Sequence, residues 1–153
     1  MTPVGPGQGV KISKPPLIVP IMRAGLGMLN AAMEVLGASE VAFIGISKDG
    51  QNSRRECYLS TLPDDLGGAA VVVLDPMLAT GYTAAFVCEE LVRRNSGDIL
   101  LVTLLAAKDG VEFLRRKDYP GGAFTAAVDA ELNDVAFIVP GLGDAGDRQF
   151  GKW

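Results

Sequence analysis

Apolar residues come along this chain in short bursts separated by turn-forming residues. Leu17–Ile21, Val41–Ile46, Val71–Leu74 and Ile99–Leu105 are nearly unbroken aliphatic runs, the pattern of strands covered on both faces. Phe124–Val128 and Val135–Val139 read as two further strands, the second stopped by Pro140. Between the runs the period changes. After a sharp turn over Met22–Gly27, Leu26, Leu29, Met33 and Leu36 fall on one face of a helix that Gly37 ends. From Thr83 onward Ala84, Val87, Cys88 and Leu91 do the same, with Asn95-Ser96-Gly97 closing the element. Asp109–Lys117 predicts a short helix with Val111, Phe113 and Leu114 apolar, and Tyr119-Pro120-Gly121-Gly122 reads as a breaker. Polar Ser47–Glu56, with an Asp49-Gly50 turn and a return over Cys57–Leu59, reads as a hairpin arm. Strands alternating with helices predict an α/β fold: an open, mostly parallel sheet with helices on both faces and right-handed crossovers.

The 153 residues suffice for one domain with a substantial core. Residues 1–16, rich in Gly and Pro, read as a flexible tail, and 17–153 as the folded domain. A net charge of −4 without a long basic run argues against nucleic acid as a partner, so an anionic ligand needs local donors. There is no histidine, so no imidazole serves as acid, base or ligand. Cys57 and Cys88 lack metal-ligand spacing, and nothing points to an oxidising compartment. No apolar run is long enough to span a membrane, and a cytoplasmic location is expected.

The chemistry concentrates in Val71–Thr83, Val-Val-Val-Leu-Asp-Pro-Met-Leu-Ala-Thr-Gly-Tyr-Thr. Asp75 ends the buried run with a charge, Pro76 stops the strand, and Thr80 and Gly81 are small residues just before a helix. Free N–H groups at a helix start suit a phosphate, and Thr80 and Thr83 add hydroxyls beside them. A carboxylate at the carboxyl end of a parallel strand stands where open sheets bind ligands and accepts hydrogen bonds from a diol. Phosphate on one side and diol on the other describe a ribose phosphate. An ordinary strand-to-helix turn with Asp75 as a capping group fits the same residues. The lysine of a P-loop is absent.

Asp-Pro-Met-Leu-Ala-Thr-Gly (75–81) resembles the phosphoribosyl-diphosphate loop of uracil phosphoribosyltransferases. Val19-Pro20-Ile21-Met22-Arg23-Ala24-Gly25-Leu26-Gly27-Met28 is similar to that family's first active-site loop, and Ile138–Arg148 to its uracil loop. The resemblance runs from about Leu17 to the C-terminus; the family's longer helical region ahead of the first loop has no counterpart in residues 1–16. It implies a phosphoribosyltransferase-like fold with a hood arm, pyrimidine salvage as the activity, uracil and phosphoribosyl diphosphate as substrates, Mg²⁺ as cofactor, and a homodimer. It further implies donor contacts from Arg23, Lys48, Asp75, Pro76, Met77, Leu78, Ala79, Thr80, Gly81, Tyr82, Thr83 and Asp144. Uracil contacts would come from Ile138, Gly143, Asp144 and Ala145, and catalysis from Asp75, Asp144 and Arg23. No metal-binding side chain is assigned. Lys48 stands where the family has an arginine, with Arg54 and Arg55 close by as substitutes. Tyr82 stands where the family usually has glycine. Its ring must point away from the phosphate or enter its pocket; the chain is expected to be weak or inactive as isolated, and Tyr82→Gly to tighten donor binding. A non-catalytic nucleotide-binding domain that keeps the fold is the alternative.

Overall fold

The structure, a computed structural model, describes residues 2–48, 55–117, 119 and 121–152, with the side chain of Lys48 outside that description. Residues 2–16 are mostly exposed and carry one tight turn, Thr2 to Gly5. Strand β1 (Leu17–Met22) leads through a tight turn into helix α1 (Leu26–Leu36). β2 (Ile44–Lys48) and β3 (Arg55–Ser60) form the antiparallel arm, and β4 (Val71–Leu74) is the central strand. The expected Asp49-Gly50 turn and Arg54 lie outside the described residues. After β4 come a two-residue strand β5 (Met77–Leu78), helix α2 (Tyr82–Arg93), β6 (Ile99–Ala107) and helix α3 (Lys108–Arg115). β7 (Gly121–Asp129), the short pair β8 (Glu131–Leu132) and β9 (Ile138–Val139), and helix α4 (Ala145–Phe150) complete the chain.

The main sheet is parallel except for the arm. β1 lies between β2 and β4, β4 pairs with β6, and β7 runs along β6 from Ile99 to Ala107. Asp75 and Pro76 interrupt the edge that β4 shares with β6, and β5 resumes it in the same register, Met77 opposite Leu105. Leu104 and Leu105 both donate to the Pro76 carbonyl, at 3.0 Å each, so the strand line survives the proline.

Alternation along the strands divides the core into two layers. Val19, Val71, Val73 and Leu101 join Ala84, Val87, Cys88 and Leu91 of α2 on one face. Ile18, Val72 and Leu74 meet Met28, Leu29, Ala32 and Leu36 of α1 on the other. The predicted face of α2 is the buried one. That of α1 is rotated: Met33 is exposed, and Met28 and Ala32 take the inward positions. Starting at Leu26, the spacing 28, 29, 32, 36 keeps the narrower stripe on the sheet.

Two further elements differ from their sequence patterns. β7 begins at Gly121, inside the expected breaker, because a Cβ at Gly121 (φ +123°) would run into the Ile99 carbonyl and glycine lets the edge close. The run Val135–Val139 is not one strand. The Asn133 side chain accepts from Val135 N (3.1 Å) and Phe137 N (2.9 Å), turning the chain so that only Ile138 and Val139 pair, with β8.

Leu91 is fully buried between α2 and the sheet. Leu91→Ala should cost about 2–5 kcal/mol, since the helix cannot collapse into the cavity. Chemical denaturation of both proteins measures it.

Candidate functional site

Three loops leave the carboxyl ends of the strands and meet. The first, Met22–Gly25, follows β1. The second, Asp75–Gly81, links β4 to α2. The third, Pro140–Asp144, links β9 to α4. Together they enclose a cavity of about 510 Å³. Its lining includes Arg23, Asp75, Met77, Ala79, Thr83, Ile138, Gly143, Asp144 and Ala145, nine of the expected site residues. A smaller recess of about 70 Å³ opens beside it, shared by Asp75, Ala79, Thr80, Gly81 and Thr83.

The recess is the start of α2. Gly81 precedes the helix in the left-handed region (φ 82°), which is why glycine belongs there. No side chain caps this end, and its first turn holds no acid. Its N–H groups therefore lack an internal competitor for an anion. Gly110 of α3 presses against the loop from behind: a Cβ there would collide with the Ala79 carbonyl.

Asp75 stands at the end of β4. Its backbone N–H donates to Val102 O at 3.1 Å, and Met77 N–H bonds its carboxyl group. Burial outweighs that bond and pushes the carboxyl pKa up to about 7. It is thus a cavity carboxylate that holds its proton more tightly than usual, not a capping group of α2.

The C-terminal helix closes the third side. Asp144 caps α4, its Oδ1 accepting from Asp147 N at 2.8 Å. Arg23 donates to Asp147 Oδ1 (3.2 Å) and to Gly151 O (3.3 Å), and Gln149 Nε2 donates to Ala24 O (3.1 Å). The first loop and α4 are therefore held together by polar bonds, although about 120 residues separate them in sequence. Asp147 and Gln149 were not singled out from sequence, because only the docked helix gives them partners.

Not every expected residue faces the cavity. Pro76 is fully buried, and Leu78, 2% exposed, belongs to the core beneath α2. Both shape the loop by packing. The Tyr82 ring lies outside both cavity and recess, stacked on Phe113 at 4.6 Å. It is the first residue of α2 and not a left-handed position, so tyrosine is accommodated with no positive φ. Of the two orientations considered for the ring, it takes the one that points away from the recess. Lys48 ends β2 opposite Arg55 of β3. Ile46 and Tyr58 of the arm, and Phe137, line the cavity as well, and the sequence reading had missed them. The Tyr58 ring covers Gly45, whose missing side chain leaves room for it. Among the described residues no group of three or more His, Cys, Asp or Glu side chains could hold a metal ion. No described helix is long and apolar enough to cross a membrane.

A family model described as uracil phosphoribosyltransferase matches residues 1–152, so the likeness starts ahead of Leu17 and takes in residues 1–16, where none was expected. The uracil phosphoribosyltransferase of Streptomyces avermitilis is 49% identical over 99% of this chain, which spans 73% of that protein. That of Corynebacterium diphtheriae is 45% identical, with 98% and 71% covered. Among solved structures, the AQ2163 protein from Aquifex aeolicus superposes with a TM-score of 0.84 at 38% identity, covering 90% of this chain and 66% of that one. A purine phosphoribosyltransferase from Pyrococcus horikoshii, at 20% identity and TM-score 0.59 over 72% of this chain and 70% of its own, shares the fold.

Two outcomes follow for this site. Asp147→Ala should lower stability by about 0.5–1 kcal/mol, the range of a partly exposed ion pair, as measured by urea unfolding. Asp75 binds its proton more tightly folded than unfolded. Its stabilising contribution is full below the ordinary value of 3.8 and is lost as pH rises through about 7. Unfolding free energies measured from pH 4 to 8 should show this decline in the natural protein and a flatter profile in Asp75→Asn.

Proposed function

Because this chain belongs to the uracil phosphoribosyltransferase family, we propose that it transfers the 5-phosphoribosyl group of phosphoribosyl diphosphate to uracil, giving uridine monophosphate and diphosphate. The observation that carries the proposal is the meeting of an uncapped helix start, a strand-end carboxylate and a glycine-rich loop around one cavity. The division of labour follows from chemistry. The recess at Ala79–Thr83 takes the 5-phosphate through backbone N–H and threonine hydroxyl donors. Asp75, when ionised, accepts from the ribose hydroxyls one loop away. Arg23 faces the diphosphate: Asp147 and Gly151 use two of its nitrogens, and a guanidinium has five N–H donors. Lys48, at the end of β2, supplies the arm's charge to the same group.

Uracil presents an N–H between two carbonyls. The loop from Ile138 to Ala145 offers backbone donors and acceptors that match it, and Phe137 and Tyr58 supply flat apolar surface nearby. In the reaction the bond from ribose C1 to the diphosphate oxygen breaks, the bond from C1 to the uracil nitrogen forms, and the proton of that nitrogen passes to the leaving diphosphate or to water. Positive charge develops on the ribose ring, so the chain's contribution is positioning and electrostatics. Asp75 and Asp144 are the cavity's carboxylates, and one or two carboxylates with substrate phosphates are what Mg²⁺ uses. Asp75 and the free oxygen of Asp144 would be the groups to hold a Mg²⁺ arriving with the donor, which would neutralise diphosphate charge. A cytoplasmic homodimer belongs to the same reading.

The purified chain should form uridine monophosphate from uracil and phosphoribosyl diphosphate, assayed by chromatography, and Asp75→Asn should lower the rate by about tenfold to a hundredfold or more, since a charge-assisted bond is lost. Cytosine exchanges one acceptor for a donor and leaves loop groups unpaired, so it should react roughly 10⁴-fold less well. Equal turnover of the two bases would refute the base assignment, and no product from either would refute the activity.

A further inference from the structure

Tyr82 is the first residue of α2, directly after the phosphate recess, yet its ring turns away from that recess and is 51% exposed. Two other elements come to it there. Phe113 of α3 stacks on it with ring centroids 4.6 Å apart and planes tilted by 56°. The guanidinium carbon of Arg55, the first residue of β3, lies 5.1 Å from the Tyr82 ring centroid. That separation is within the range of a cation–π contact. Phe113 in turn backs the recess itself: a Cβ on Gly81 would stand 2.9 Å from Phe113 Cδ1. A cation from the arm, the residue after the phosphate loop and the ring supporting that loop thus form one stack.

We propose that Tyr82 is a positioning residue that anchors the β2–β3 arm to the outer side of the phosphate loop, coupling arm placement to donor binding. The ring braced by Phe113 is a fixed platform, since α3 is held against the loop at Gly110. Arg55 pairs in register with Lys48 across the arm, so fixing Arg55 also fixes the end of β2. That the ligand is phosphoribosyl diphosphate rests on the function proposed above; the anchoring itself does not.

The test is made on the ligand-free protein first. Amide hydrogen exchange in residues 55–60 should be slow in the natural chain and severalfold faster in Tyr82→Leu and in Arg55→Gln. Tyr82→Phe, which keeps the ring, should restore protection. The double variant Tyr82→Leu/Arg55→Gln should be no faster than either single one, which isolates this pair from anything else Arg55 touches. Titration with phosphoribosyl diphosphate should then show affinity weakened about two- to tenfold in Tyr82→Leu, in line with one cation–π and one ring contact, with KM moving more than kcat. Unchanged exchange in Tyr82→Leu and Arg55→Gln would overturn the anchor, as would failure of Tyr82→Phe to restore it. Tighter donor binding in Tyr82→Leu would overturn the coupling. The exchange measurements need neither donor nor turnover, so they remain decisive even for a chain that forms no uridine monophosphate.

Discussion

Burial of β4 on both faces is the constraint from which the site follows. Val71 to Leu74 lie between α1 on one side and α2 on the other, each residue at most 7% exposed. No polar group can enter that run without an unpaired desolvation cost. The first position free to carry chemistry is the one that leaves the sheet, Asp75. Its N–H stays tied to Val102 and its carboxyl group to Met77, so backbone bonding sets its place while enclosure raises its pKa. The neighbouring strand β1 ends in register beside it and delivers Arg23 to the same rim.

Two helix starts show how the same electrostatics can serve opposite ends. α2 begins after a left-handed glycine with no capping side chain, leaving its N–H groups open toward the recess. α4 begins with Asp144, whose carboxylate already occupies the first turn. An open start invites an external anion; a capped one does not. Asp144 therefore has a structural duty in addition to any contact with substrate. The capped α4 carries Asp147 and Gln149 onto the first loop, and that docking ties this side of the cavity to the end of β1.

The α2 and α4 starts bear directly on what a departure from a family pattern means. A tyrosine in a phosphate loop reads as an obstruction when the loop is considered alone. In the folded chain the left-handed position is Gly81, one residue earlier, and Phe113 offers the ring a surface away from the recess. Position 82 therefore accepts a bulky ring that the left-handed position 81 could not.

The sequence by itself determined the parallel α/β class, the buried faces of β4 and α2, the position of Asp75 and the glycine that precedes α2. Those features are local: aliphatic runs, helical period and a strand-end charge dictate them within a few residues. The loop motifs also placed most of the cavity lining, because loop and strand end are adjacent in sequence. Only the tertiary structure decided the rest. The inward face of α1 depends on the sheet it meets, and the division of 135–139 into a turn and β9 depends on one Asn133 side chain. The partnership of Arg23 with Asp147 and the stacking of Arg55, Tyr82 and Phe113 join residues far apart in the chain. Such contacts are selected by packing between elements, and no periodicity or spacing within either element contains them.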